Sequence, residues 1–370
     1  MYIVLDTEFV WQRTYYANLG LIQAAPSSDF PAGRLPSSTP HILPYSTDDT
    51  KRSAAVLIDP LHCPPDIMAD IVADSSVVKI LHDAVQDLQH ICRWCEALPV
   101  NVFDTRVAAG FAGLSSTISL RLLLSELLGV DLPKTETRTD WMKRPLSPEQ
   151  LEYAADDVVY LGGVAEKLTE RAKELGTYAW MMEEMRALDD PSKYQEDDIA
   201  DSWKHMKIPV RAFSAPRQLI RLRELAAWRD GTARSKNLPR SWVVDDKVLV
   251  AAALNPPANS KDIPKKELPR AYEAEFFEVL RNAEVLPEEN VPRLRDTATS
   301  NNRELATRMM EVAGEAAKKA HVDAALIGSR SDFTLYCQNP EDPKIRLNKG
   351  WRREVLGDSL LKLLPNVRLF

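Results

Sequence analysis

Apolar and polar positions follow two different rhythms along the chain. Through roughly the first 185 residues, short apolar runs bounded by breakers alternate with segments whose apolar residues recur every three or four positions. YIVLDTEFV, LGLIQAA, AAVLIDP, VVKILH and NVFDT read as strands. PPDIMADIVAD, DAVQDLQHICRWCEAL, TRVAAGFAG and SLRLLLSELLGV read as helices. Three strands in succession, then strands alternating with helices, predict an α/β fold: a mixed sheet covered by helices. LSPEQLEYAADDVVYL opens a further helix, with Ser147 as N-cap, Pro148 at the first position and Gln150 closing a capping box.

Residues 26–52 carry five prolines and many Ser and Thr, and read as a loop between two strands, with no chemistry assigned. LDDPSKYQEDDIAD, residues 188–201, is polar and acidic and reads as a linker. Beyond it the strand signals fade. PRQLIRLRELAAWRDGTARSKNLP, ELPRAYEAEFFEVLRNAEVL, RELATRMMEVAGEAAKKA and REVLGDSLLKLL are amphipathic helical periods, divided near LPEENVPRL. The expected organisation is a domain over 1–187, a linker over 188–208, and two small all-α domains over 209–287 and 288–370.

Composition changes this picture little. At 45% hydrophobic, 27% charged and a net charge of -7, the 370 residues suit a globular protein of two or three domains and exclude a highly basic coating protein. A local basic cleft remains open. The four cysteines form no disulfide framework; Cys92 and Cys95 have no second Cys/His pair at zinc-finger spacing and read as buried thiols. No leader is visible, because the first apolar run is cut by Asp6, and no apolar run approaches the ~20 residues of a membrane span. A cytoplasmic protein is expected.

The acids alter it more. Acid-x-acid spacing alone means little, since 54 acids give about eight such pairs by chance. Asp6 and Glu8, however, project to one face at the end of a strand too apolar to be exposed. Burying both unpaired costs several kcal/mol. Hard oxygen ligands around a divalent cation are the usual remedy. Asp87 stands one turn into the helix after VVKILH, and Tyr153 and Asp157, four apart, share a helix face. Asp156 is rotated away by about 100° and reads as solvated. His82 reads as a structural histidine at a strand end, and Asp104 either supports the site or caps the next helix.

DTEF, HDAVQDL and YAADD, in that order, resemble the three motifs of the DEDD exonucleases in the subtype with tyrosine in the third. TYYANLGLIQ, LIDPL, ETRTDWMKRPLSPEQLEYAADDVVYL, RELAAWRDGTARSKNLPRSWVVDDKVL and GWRREVLGDSLLKLL resemble the ribonuclease D family more specifically. The likeness spans nearly everything except 26–52, where that family has a short turn. It implies a ribonuclease-H-like exonuclease domain followed by two HRDC-like helical modules. It implies 3′–5′ hydrolysis of RNA 3′ ends, transfer RNA precursors above all, releasing 5′-mononucleotides with two Mg²⁺ or Mn²⁺ ions. No membrane and no obligate protein partner are implied. Asp6, Glu8, Asp87 and Asp157 become the metal acids, with Asp6 bridging, Glu8 and Asp157 completing one site and Asp87 holding the other. Tyr153 becomes the residue that orients the attacking water. A DNA exonuclease and an inactive RNA-binding scaffold stand as rival readings.

Residues 203–247 hold eleven Lys/Arg against four acids, a candidate phosphate-contacting surface beside the alternative of a solvated basic face. The side chains expected at RNA are Phe9, Arg138, Arg144, Arg221 and Arg229; Trp228 is expected in a core.

Overall fold

In the computed structural model, residues 1–31, 34–35, 42–45, 55–132, 139–209, 212–288 and 300–364 are described. A six-stranded sheet organises the first part, in the order β3-β4-β2-β1-β5-β6. Its strands are β1 (Tyr2–Val10), β2 (Asn18–Pro26), β3 (Ile42–Tyr45), β4 (Ala55–Ile58), β5 (Val78–Leu81) and β6 (Val102–Asp104). β5 lies parallel to both β1 and β6, whereas β4 runs antiparallel to β2 and β3. The sheet is therefore mixed, as the strand-then-alternation pattern requires. β3 corrects one expectation: ILPY, inside the stretch read as a loop, forms an edge strand. Its proline is tolerated there because an edge leaves one row of N–H groups unneeded.

The helices of this part are α1 (Asp66–Val72), α2 (Ala84–Cys95), α3 (Thr105–Phe111), α4 (Leu120–Leu128), α5 (Pro148–Val159), α6 (Leu161–Glu174) and α7 (Tyr178–Arg186). The capping box of α5 forms as read: Gln150 N donates to Ser147 Oγ at 3.2 Å, and Ser147 N donates to Gln150 Oε1 at 2.9 Å. The four cysteines form no disulfide, and Cys92 and Cys95 are buried.

Two compact units emerge, and their division departs from the expected domains in two ways. One unit comprises Met1–Val10, Leu19–Gln195 and Ala298–Phe370; the other comprises Trp11–Asn18 and Glu196–Thr297. First, the stretch read as a linker is packed. Tyr194 is buried with its hydroxyl donating to Leu188 O at 2.7 Å, and Gln89 Nε2 donates to Lys193 O at 2.7 Å. Second, the last segment is no separate domain. Its helices α12 (Ser300–Lys319), α13 (Ala324–Ile327), α14 (Arg330–Gln338) and α15 (Gly350–Leu356) share a core with the sheet unit. Trp351 is fully buried against Phe111, ring centroids 5.0 Å apart. Arg352 forms a fork to Glu184 at 2.7 and 2.8 Å and also donates to the carbonyls of Leu326 and Ile327.

In the other unit, α8 (Pro216–Ser235), α9 (Arg240–Val243), α10 (Asp246–Leu254) and α11 (Arg270–Val285) enclose a core of Leu222, Leu225, Leu249, Phe276 and their neighbours. Trp228 packs against Phe276 and Tyr272, as expected of a core residue. A fully buried Asp230 pairs with Arg234 and Arg240 and accepts a hydrogen bond from Tyr15 at 2.9 Å.

Candidate active site

β1 presents Asp6, at its middle, and Glu8 on one face, and α5 brings Asp157 to them. Carboxylate oxygens of Asp6, Glu8 and Asp157 all lie within 4.8 Å of one another. Burial pushes Asp6 well above the usual carboxylate range, and the charges of Asp87, Asp157 and Glu8 push it further. Glu8 is raised to about 8 by burial and by Asp157 and Asp87. Asp157 is raised to about 7 by burial, with Asp156 and Asp87 adding to it and a hydrogen bond from Tyr153 opposing. Asp87 is raised to about 7, chiefly by burial, against the pull of its bond from Thr7. Like charges held together out of water at neutral pH call for a cation, and an all-oxygen donor set suits a hard divalent ion. The residues present fit such a group.

α2 carries Asp87, which lies outside the three-acid cluster but acts electrostatically on every member of it. Two residues position it, of which sequence reading missed Thr7 and named Asp104. Thr7, between the two strand acids, faces the other way and donates to Asp87 Oδ1 at 2.5 Å. A hydroxyl at that position of an otherwise apolar strand was the available signal. Asp104 accepts from the backbone N–H groups of Ala84 at 2.9 Å and Asp83 at 3.2 Å, fixing the start of α2. It also caps α3 through Arg106 N at 2.8 Å, so both readings of Asp104 hold. His82 is structural. Its ring bridges Thr105 Oγ1 at 2.8 Å and Ile118 O at 3.1 Å, and burial then Arg106 push it down to about 4. Asp156 corrects the sequence reading: it is buried, because α5 is packed on more than one face.

Tyr153 is half-buried beside Asp157, its ring 6.1 Å from that of the buried Trp141. Burial, then Asp157, Glu8 and Asp6, push its phenol above the ordinary value. Of the expected RNA contacts, Phe9 packs on His90 with centroids 4.3 Å apart. Arg144 is committed internally. It grips Asp59 with two bonds of 2.7 Å and donates to Gly20 O and Trp141 O, clamping the 141–145 loop to the sheet. Arg221 bonds Glu284 and Ala253 O, and the buried Arg229 bonds Asp246 and Val244 O. These three arginines thus hold the fold. Arg138 lies outside the described residues. The basic excess of 203–247 is likewise offset by acids outside that stretch: Arg217 meets Glu288, Arg234 meets Glu196, and Lys247 meets Glu267.

A mixed sheet whose central strand presents two acids, with a third from α5 gathered against them and a fourth close by, forms an all-oxygen site of the kind that binds divalent metal ions. A family model described as 3′-5′ exonuclease matches residues 1–173, and one described as HRDC domain matches 218–268. The ribonuclease D of Desulfotalea psychrophila is 33% identical over 96% of this chain and 90% of its own length. That of Xanthomonas oryzae pv. oryzae is 32% identical over 98% and 93%. The solved structure of Escherichia coli RNase D, described as an exoribonuclease involved in structured RNA processing, superposes with a TM-score of 0.80 at 28% identity, covering 98% of this chain and 92% of that one. The catalytic core of RRP6 from Trypanosoma brucei shares the fold, with a TM-score of 0.53 at 20% identity over 77% of this chain and 75% of that one. This chain belongs to the ribonuclease D family, and it is a 3′–5′ exoribonuclease.

Proposed function

We propose that the enzyme trims the 3′ ends of structured RNAs in the cytoplasm, transfer RNA precursors above all, with two Mg²⁺ or Mn²⁺ ions held by Asp6, Glu8, Asp87 and Asp157. The observation that supports this most is the cluster of Asp6, Glu8 and Asp157, whose protonation is shifted toward neutrality. When bound, such a pair of ions stabilises the attacking and leaving oxygens and lowers the pKa of the attacking water. Asp6, Glu8 and Asp157 would supply the oxygens of one site, and Asp87, braced by Thr7, would hold the other. Tyr153 keeps its proton, since its phenol is pushed up, and so orients the attacking water by hydrogen bond.

Tyr153→Phe is expected to lower kcat on 3′-labelled RNA by about a hundredfold, the scale of a lost orienting contact. Mn²⁺ affinity, read by titration calorimetry, should stay at the wild-type value. Unchanged turnover removes the hydroxyl from the mechanism.

A pH dependence follows from the raised carboxyls. Each has a folded pKa above its unfolded one, so its contribution to stability is complete below the ordinary carboxylate range. That contribution is lost as pH rises through about 7 to about 8. In EDTA the melting temperature should therefore fall across that window, and the rise produced by added Mn²⁺ should grow. Melting curves at several pH values, with and without Mn²⁺, check it; a Mn²⁺ effect that shrinks toward alkaline pH contradicts the site. No described helix is long and apolar enough to cross a membrane. Sequencing RNA 3′ ends from cells with and without the protein identifies the substrates; unchanged transfer RNA precursors would refute that preference.

A further inference from the structure

The unit built from Trp11–Asn18 and Glu196–Thr297 contains a cleft of about 450 Å³. Trp11, Tyr15, Pro239, Arg240, Asp245 and Asp246 are among its lining residues. We propose that this cleft is a subsite for one unpaired base of the RNA strand, with the Trp11 indole as the stacking platform; the proposal rests on the exoribonuclease reading.

Trp11 is 64% exposed, which is costly for the largest apolar side chain unless something covers it. One bond ties it down, from its Nε1 to Tyr15 O at 3.3 Å. Tyr15, beside it, is fixed from below: its hydroxyl donates to Asp230 and accepts from Arg234 at 3.0 Å and Arg240 at 2.6 Å. The Arg240 guanidinium lies 4.8 Å from the centre of the Tyr15 ring. The wall is thus built before any ligand arrives, and a preformed wall loses little entropy on binding.

The aromatic wall selects the occupant. Asp246 is engaged with the buried Arg229, and the exposed Asp245 accepts Lys247 N at 3.1 Å as the cap of α10. Arg229 and Arg240 share the lining with these two carboxylates, so the charges balance, and the exposed indole face suits the flat face of a base. Aromatic stacking tolerates any base, as an enzyme that removes successive nucleotides requires. Covalent geometry supplies the address. Trp11 follows Glu8 by three residues, so their Cα atoms are at most about 11 Å apart. A base held there belongs to a nucleotide only a few positions upstream of the 3′ end.

The test is a cycle of Trp11→Ala against single abasic substitutions placed at successive positions upstream of the scissile bond. In wild type, one position should show a loss of about tenfold or more in kcat/KM. Trp11→Ala should lose the same factor on intact RNA and become insensitive to the abasic residue at that position. Trp11→Phe should retain most of the effect. Hydrolysis of a dinucleotide too short to reach the cleft should be equal in all three proteins. Wild type sensitive at no position, or losses that multiply instead of merging, overturns the proposal. So does a free nucleoside monophosphate that raises the melting temperature of wild type but not of Trp11→Ala without any abasic effect, since the cleft would then hold product. Wild-type hydrolysis of unmodified RNA is the control for the underlying activity, whose failure would be seen separately.

Discussion

Asp6→Asn is expected to lower kcat on RNA by on the order of a thousandfold, the scale of losing a preorganised charge at the reacting phosphate. The same change should raise the melting temperature of the metal-free protein. Asp6 is pushed well above its ordinary range, by burial and by three neighbouring carboxylates. Asparagine keeps the shape and removes the repulsion, so what weakens catalysis relieves the fold. The opposite signs separate a metal-site residue from a structural one: a merely structural Asp6 would lose activity and stability together. Parallel kcat and calorimetric measurements in EDTA decide between them.

Glu184→Ala is expected to destabilise the protein by about 3–5 kcal/mol, the cost of leaving a buried charge unpaired. Glu184 accepts both prongs of Arg352, whose side chain is 8% exposed, and the indole N–H of Trp351 at 2.9 Å. Burial alone would raise the Glu184 carboxyl, yet the bond and charge of Arg352 hold it below the usual range. The pair fastens α15 to α7, and with it the four C-terminal helices to the sheet unit. Proteolysis should then cut near residue 300 faster in the variant than in wild type, with exonuclease activity at low temperature largely kept. A loss under 1 kcal/mol by urea unfolding would contradict the reading of this pair as a buried one.

The site was legible because its elements carry local signals. Asp6 and Glu8 stand out from an apolar strand, and Ser147, Pro148 and Gln150 announce the helix that carries Tyr153 and Asp157. Thr7 was not legible because its partner, Asp87, is 80 residues away. Arg144 and Arg229 resembled phosphate contacts because a local charge count cannot see Asp59 or the burial of a guanidinium. The docking of the last helices escaped for a similar reason. An apolar stripe states that a helix must be covered, not by what, and Glu184 and Arg352 are 168 residues apart. β3 was hidden by a proline that an edge strand accommodates.

Anomalous diffraction from crystals soaked in Mn²⁺ tests the central claim most directly. Ion density is predicted among Asp6, Glu8 and Asp157, with a second peak on the side of Asp87 and both lost in Asp6→Asn. Clear density for those side chains with no manganese among them would contradict the account.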